Sequence, residues 1–164
     1  MSSTIETLRL RLEPLDPPVA ALVSTDRVVA QRKLGAVFHN AWPSDDLRDW
    51  LASVPAGSRF RPYAIVERAT NTVVGDVGFL GPPDAKGQVE LGYSIVSDRR
   101  RRGYGSEAAA AVMAWALEQA GVRAIIAECE ATNTASIRTL ERLGFERGEE
   151  SDGAIRWRHV PDAA

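Results

Sequence analysis

The segment best suited to chemistry is a basic loop that leads into a helix. It reads Val96-Ser-Asp-Arg-Arg-Arg-Arg-Gly-Tyr-Gly-Ser-Glu-Ala, so four arginines at 99–102 come directly before a Gly-x-Gly pair. The first turn of a helix carries backbone N–H groups without partners and the positive end of the helix dipole. Glycines let a bound group approach that backbone, and arginines offer forked donors to anions. The segment is therefore typical of a phosphate or diphosphate cradle.

A solvated basic loop explains the same residues, because Gly-x-Gly is short enough to occur often by chance. Two better-known phosphate motifs are excluded. Ala108 stands where a dinucleotide fingerprint has its third glycine, and no Gly-Lys-Ser/Thr ending of a P-loop is present.

The second candidate group is Glu90, in a strand predicted over 88–96. Alternation places it on one face with Gly92, Ser94 and Val96, while the opposite face is apolar and comprises Val89, Leu91, Tyr93 and Ile95. A carboxylate in this place can act as a proton acceptor if burial raises its pKa. Gly92 is expected to leave open space beside it for a substrate. On these residues alone, an ordinary solvent-facing glutamate is the preferred interpretation.

The elements that must position these groups are strands and helices in mixed order. Strands are predicted over 7–12, 63–67, 73–80, 88–96, 123–130, 145–149 and 154–159. Helices are predicted over 17–23, with Asp16 as the cap and Pro17 at the first position, and over 44–51, 103–120 and 134–143, whereas residues 24–43 are weakly patterned. Hairpins followed by a strand–helix–strand crossover predict a mixed α/β fold whose sheet is mostly antiparallel, with strands 88–96 and 123–130 parallel.

Composition places the chain among ordinary soluble domains. It has 164 residues, 45% hydrophobic and 26% charged, with a net charge of −2, which predicts a single domain over 1–164. No apolar run reaches the ~20 residues of a membrane span, and no secretory signal is visible. One cysteine, Cys129, and two histidines, His39 and His159, leave little for a metal site. We therefore expect a cytoplasmic, metal-independent protein that contacts neither membranes nor, given its near-neutral charge, nucleic acid.

Taken together, the motifs resemble those of the GCN5-related N-acetyltransferase (GNAT) superfamily. Arg100-x-x-Gly103-x-Gly105 follows a strand, and Asn133-x-x-Ser136 and then Leu143-Gly144-Phe145 come downstream. Other segments are similar to the RimJ/RimL branch: Glu6-Thr-Leu-Arg-Leu-Arg, Pro14-Leu15, Trp42-Pro43 and Glu90-Leu-Gly-Tyr-Ser-Ile. The resemblance covers roughly residues 5–160.

The resemblance implies a fold, a reaction and a coenzyme site. The fold is a central mixed sheet of six to seven mostly antiparallel strands, with one splayed parallel pair and helices on both faces. The reaction moves an acetyl group from acetyl-coenzyme A to a primary amine, of a protein N-terminus or a small molecule, by direct attack in a ternary complex. The pantetheine arm would bond near Ile95, Val96 and Ser97. The pyrophosphate would rest on the amides of Arg101, Arg102, Gly103, Tyr104, Gly105 and Ser106.

The resemblance also assigns roles to individual side chains. Glu90 matches the position of a catalytic base, and Asn133 would bond to the pantetheine arm, although capping of the last helix also explains an asparagine there. The tyrosine that often protonates the leaving thiolate is replaced by Leu140, and the branch offers Ser136 instead. A first-turn serine that bonds to the backbone is the structural alternative for Ser136. In the loop, Arg101 replaces a common glycine and Ser97 a common proline.

Two other functions remain open from the sequence. Loss of the tyrosine at position 140 is compatible with a non-catalytic domain that binds acyl-coenzyme A as a sensor or interaction module. Nucleic-acid binding through Arg99–Arg102 would require a steep salt dependence, and the net charge disfavours it. Members of the superfamily are often homodimers, which is the one expectation for oligomeric state.

Overall fold

The computed structural model describes residues 3–162, which form nine strands and five helices. The strands are β1 (Ile5–Glu6), β2 (Leu10–Pro14), β3 (Val37–Phe38), β4 (Pro62–Glu67), β5 (Thr72–Phe79), β6 (Gln88–Ile95), β7 (Ala124–Glu130), β8 (Glu146–Ser151) and β9 (Ala154–His159). The helices are α1 (Pro17–Thr25), α2 (Arg27–Leu34), α3 (Asp45–Ser53), α4 (Tyr104–Leu117) and α5 (Thr134–Arg142), with one 3₁₀ turn at Ser97–Arg99.

All the strands join one sheet, which confirms the predicted mixed, mostly antiparallel architecture. Its order is β1-β2-β4-β5-β6-β7-β9-β8, and β3 pairs in parallel with β5. The seven longer strands correspond to the seven predicted ones. The two-residue strands β1 and β3 are additional, and so is the short parallel contact of β3.

The first predicted strand, 7–12, is wrong at its start. Residues 7–9 form a turn in which the Thr7 amide donates to Leu10 O at 2.9 Å, so β2 begins only at Leu10. The cause lies far along the chain. The carboxylate of Glu107 in α4 accepts hydrogen bonds from the Thr7 hydroxyl and from the Arg9 amide, which draws these residues out of the sheet.

Helices differ from prediction mainly in the weakly patterned region. α1 begins at Pro17 after Asp16, as predicted, but ends at Thr25 and not at Val23, and α2 was not predicted. The α2 segment lacks a clear apolar stripe, and it is held by an Asp26 cap on the Val29 amide and ended by Gly35 in a left-handed conformation. α3 begins after the predicted Ser44 cap. α4 ends at Leu117, earlier than the predicted 120.

The parallel pair β6–β7 is joined over only part of its length. Gln88–Leu91 pairs with Ala124–Ala127, and beyond that point β6 stays with β5 while β7 stays with β9. A gap therefore opens between Gly92–Ile95 and Glu128–Glu130. This confirms the splayed parallel pair.

Helices cover both faces of the sheet around this gap. On one face, Gly105 of α4 lies beside the ring of Tyr93 and the side chain of Ile95. On the opposite face, the indole of Trp50 in α3 lies over Gly92. No helix within residues 3–162 combines the length and the apolar character that crossing a bilayer requires.

Close approach of β5 to β6 predicts a stability effect at Gly75. A Cβ at this position would lie 2.2 Å from Ser94 O, a backbone atom that cannot turn aside. We expect Gly75→Ala to lower the free energy of unfolding by about 2 kcal/mol, since overpacked sites typically cost ~1–3 kcal/mol. Urea denaturation measures it, with Gly57→Ala as control because nothing lies within 4 Å of a Cβ there. Equal midpoints for the two variants would contradict the close approach.

Candidate functional site

The start of α4 offers free backbone donors. Its N-cap residue, Gly103, has φ 81°, a left-handed conformation that favours glycine, and no side chain caps the helix. By contrast, α2, α3 and α5 are each capped by a side chain: Asp26, Ser44 and Asn133. The first-turn amides of α4, Tyr104 to Ser106, are therefore left for an external acceptor. A Cβ on Gly105 would meet Tyr93 at an ordinary 3.7 Å, so the packing itself does not require glycine there.

The four arginines before this helix have different partners. Arg100 Nε donates to Ile95 O at 2.8 Å, and Arg99 and Arg102 each reach the Glu67 carboxylate at 3.4 Å. Arg101 is exposed, and no side-chain hydrogen bond or ion pair joins it to any other residue among 3–162. It has φ 64°, which accounts for the glycine that is common at this position. Arg101 and the half-exposed Arg102 are thus the cations best placed for an anion at the helix start.

Glu67, which was not identified from the sequence, holds this loop through contacts with Arg99, Arg102 and Tyr104. It is 3% exposed, and its carboxylate accepts from Tyr104 Oη at 2.7 Å and from Thr70 Oγ1 at 2.6 Å. Burial by itself raises the pKa of Glu67, but the hydrogen bonds from Thr70 and Tyr104 and the charge of Arg99 outweigh it, so the pKa is lowered. Glu67 therefore stays ionised and ties the first residue of α4 to the loop.

The backbone of β6 presents unpaired groups to the gap. Glu90 O accepts from the Leu80 amide and the Val96 amide donates to Val74 O, so the even-numbered residues bond toward β5. Alternation then turns the N–H and C=O groups of Tyr93 and the N–H of Ile95 toward the gap unpaired, whereas Ile95 O already accepts from Arg100 Nε. Val96 has no free backbone group, because its carbonyl also accepts from the Arg99 amide. Of the backbone positions expected to hold the pantetheine arm, Ile95 and Ser97 keep free donors.

Glu90 is half-buried in β6, beside the point where the gap opens. Its pKa is raised, chiefly by burial and further by the charge of Glu128, while Arg156 acts in the opposite direction. The prediction that Gly92 leaves open space beside Glu90 is wrong, however. A Cβ on Gly92 would lie 3.3 Å from Leu80 and 3.4 Å from the Trp50 indole, so an aromatic wall stands over Gly92.

The start of α5 reaches the same region from the other side of the gap. Asn133 Oδ1 accepts from the Ser136 amide at 3.1 Å, so the capping role is confirmed and only its Nδ2 is left for a ligand. The Ser136 hydroxyl makes no hydrogen bond to the backbone among the described residues, contrary to the structural alternative. Leu140 is 1% exposed and belongs to the core.

Tyr93 adds a hydroxyl that the sequence analysis assigned to the core. Its Oη is buried and has no well-formed hydrogen bond within residues 3–162. The pKa of Tyr93 is raised by burial, and the nearby hydroxyls of Ser136 and Thr139 oppose that shift. A phenol and a serine hydroxyl therefore lie together between β6 and α5.

A second buried acid, Asp76, lies on the same face of the sheet as Glu90. It occupies an otherwise apolar and glycine-containing strand, Thr72–Phe79, and bonds to Trp42. An acid inside such a strand is the sequence signal that could have drawn attention to it.

These features define a class of protein. A parallel strand pair that separates beside an uncapped Gly-Tyr-Gly helix start is the architecture expected of the GCN5-related N-acetyltransferases. The acetyltransferase (GNAT) domain family matches residues 9–146, and the chain belongs to that family. Membership makes it an acetyltransferase, which favours the enzymatic interpretation over the non-catalytic sensor.

Individual relatives agree with this assignment. The chain is 35% identical over 163 residues to the uncharacterized N-acetyltransferase YjdG of Bacillus subtilis (strain 168), across 95% of this chain and 97% of that protein. Its fold is similar to the ribosomal-protein-S5-alanine acetyltransferase of Vibrio fischeri, with TM-score 0.69, 15% identity and 98% of both chains covered. It is also similar to RimL, a ribosomal L7/L12 α-N-protein acetyltransferase solved with coenzyme A, with TM-score 0.66, 17% identity, and 99% and 100% covered.

Proposed function

We propose that this acetyltransferase uses acetyl-coenzyme A and transfers the acetyl group to a primary amine that attacks directly in a ternary complex. The observation that carries the proposal is the gap between β6 and β7 beside the uncapped start of α4. The gap offers backbone groups to an amide-containing arm. The helix start offers amides and two exposed arginines to a diphosphate.

Each part of the site then has a task. The amides of Tyr104, Gly105 and Ser106, with Arg101 and Arg102, hold the diphosphate. The free backbone groups of Ile95 and Ser97 and the Nδ2 of Asn133 fit the pantetheine arm. When bound, acetyl-coenzyme A supplies an activated acetyl thioester.

Glu90 supplies the base. An alkyl-ammonium has no lone pair with which to attack, so it must first lose a proton, and burial raises the pKa of Glu90, which makes its carboxylate a better proton acceptor. The amine nitrogen then forms a bond to the acetyl carbon, and the carbon–sulfur bond breaks. We assign Ser136, with the Tyr93 hydroxyl beside it, to pass a proton to the departing sulfur, and the proton that the nitrogen loses on forming the amide replaces it.

The acceptor is a primary amine of a protein N-terminus or of a small molecule. RimL, by its name, acts on ribosomal L7/L12, so an N-terminal amine is one choice for this chain. We take the face of the sheet that carries Glu90 as the side on which the acceptor binds, and call it the acceptor side. It also carries the carboxyl groups of Glu128 and Asp76, and this negative charge suits a cationic acceptor.

Thiol release tests the reaction. Purified protein, acetyl-coenzyme A and a panel of amines that includes short peptides with free N-termini are expected to release coenzyme A thiol in proportion to acetylated amine found by mass spectrometry. Tight coenzyme binding with no turnover across a broad panel would instead return the sensor interpretation.

Charge reversal in the arginine loop tests the diphosphate site. We expect Arg101→Glu and Arg102→Glu each to raise the Kd for acetyl-coenzyme A about tenfold or more, because charge-assisted bonds to a phosphate are replaced by repulsion. Calorimetry at modest ionic strength measures this, and Arg147→Glu on the exposed strand β8 is the matched control. Unchanged affinity in both loop variants would refute the proposed diphosphate position.

A further inference from the structure

Asp76 has a carboxyl group on the acceptor side that takes no part in the proposed chemical steps. It lies in β5 directly opposite Ser94 of β6, so its side chain projects from the same face as Glu90. The residue is 4% exposed. Its Oδ2 accepts a hydrogen bond from Trp42 Nε1 at 2.9 Å, and the hydrogen bonds of residues 3–162 leave Oδ1 without a donor.

A cavity of about 240 Å³ adjoins this carboxyl group and is lined by Trp42, Asp76, Ser94 and Arg100, and on the side of the proposed pantetheine site by Ile95, Val96 and Ser97. Neither nearby arginine pairs with Asp76. The Arg100 guanidinium is held by Ile95 O, and Arg27 of α2 donates to Trp42 O at 2.9 Å. The cavity therefore contains one buried acid, one indole N–H, serine hydroxyls and the side chain of Arg100, and no ion pair within residues 3–162 neutralises the acid.

The carboxyl group of Asp76 gains or loses its charge near neutral pH. Burial raises its pKa to about 7, the Trp42 hydrogen bond lowers it, and Asp46 of α3 raises it. A positively charged group that enters the cavity favours the ionised form, because it supplies the missing counter-charge.

The indole of Trp50 lies between Asp76 and Glu90 along the sheet. Ser94, which marks the position of Asp76 on β6, is four residues from Glu90, roughly 13 Å along an extended strand. The Trp50 indole lies over Gly92 between them. The face thus presents a carboxyl group, an apolar surface and a second carboxyl group in line.

We propose that the cavity under Trp42 is a specificity subsite for a second cationic group of the acceptor. The reacting amine lies near Glu90, an apolar spacer lies along Trp50, and the distal ammonium or guanidinium group binds Asp76. The chemical class of acceptor is a molecule with two cationic groups joined by an extended apolar chain. This inference rests on the proposed function, and it concerns selection of the acceptor only.

Binding of two matched amines tests the subsite without requiring turnover. Octamethylenediamine carries a cation at each end, and octylamine has the same chain with only one. We expect the protein saturated with coenzyme A to bind the diamine about tenfold more tightly, since a charged hydrogen-bonded partner is gained. Calorimetry measures both affinities. Asp76→Asn should bring the ratio to about one and leave octylamine unchanged, while Asp49→Asn, an exposed acid on α3, should preserve the ratio.

The pH dependence separates the subsite from a general electrostatic effect. The wild-type ratio should rise between about pH 6 and pH 8, because Asp76 ionises through about 7, and it should be flat in Asp76→Asn. The Trp42 indole N–H resonance, which reports on its hydrogen-bond partner, checks that Asp76→Asn is folded. Equal affinities for the two amines in the wild type, or no measurable binding of the diamine, would overturn the subsite. Thiol release with other amines would in that case still support the proposed function.

Discussion

We expect Glu90→Gln to lower kcat/KM for acetyl transfer by about 100-fold, within the ~10²–10⁴ range of general base catalysis. The substitution keeps the size of the side chain and one acceptor oxygen but removes its ability to accept a proton. Because Glu90 is half-buried beside the opening of the gap, few other groups can replace it. Steady-state thiol release with any accepted amine measures the change, and calorimetry should show unaltered affinity for acetyl-coenzyme A.

The pH profile distinguishes a base from a positioning group. A base acts when deprotonated, so wild-type kcat/KM should rise with pH through a pKa above the ordinary carboxyl range, since burial raises the pKa of Glu90. Glu90→Gln should lack this limb. The exposed Glu128 is the matched control: Glu128→Gln removes a neighbouring negative charge, so the limb should move to lower pH with little loss of maximal rate. A profile that keeps its acidic limb in Glu90→Gln would transfer the role to another group.

Those parts of the fold that depend on local pattern were predictable. Alternation in 88–96 predicted which face of β6 is apolar, and Ser44 predicted where α3 begins. Helix α2 was missed because residues 27–34 lack a clear apolar stripe, although its Asp26 cap and Gly35 end are local signals that could have indicated it. Arg27 bonds to the carbonyls of Phe38 and Trp42, and no periodicity within 27–34 encodes those bonds.

The residues of the candidate site likewise fall into those that local sequence could identify and those that depend on remote contacts. The proposed diphosphate cradle could be recognised because its glycines, arginines and helix start are contiguous, and Glu90 could be named as a candidate from its strand and the family resemblance. Glu67 and Asp76 were missed because their partners are remote: Tyr104 is 37 residues from Glu67, and Trp42 is 34 residues from Asp76. A buried acid in a strand indicates that some partner exists, but only the folded sheet identifies it.

The second large effect is expected at Glu67. Glu67→Ala should lower the free energy of unfolding by about 3 kcal/mol, because hydrogen bonds to a buried charge contribute ~1.5–3 kcal/mol and several donors lose their partner together. The donors are Thr70, Tyr104, Arg99 and Arg102. Glu67→Gln, which keeps an acceptor for the Tyr104 hydroxyl, should lose clearly less. Urea denaturation measures both, and Glu146→Ala on the exposed strand β8 should change little.

The sign of the pH effect follows from the lowered pKa of Glu67. A carboxyl group whose pKa is lower in the folded state stabilises the fold above its ordinary pKa, and that contribution is lost as the pH falls through the folded-state pKa. The difference between wild type and Glu67→Gln should therefore be largest near neutral pH and shrink in acid. Tyr104→Phe completes a double-mutant cycle with Glu67→Gln, and a coupling energy near zero would mean that Glu67 does not hold the start of α4. A clear coupling would instead show that Glu67, a residue of the central sheet, stabilises the start of α4, where the diphosphate is proposed to bind.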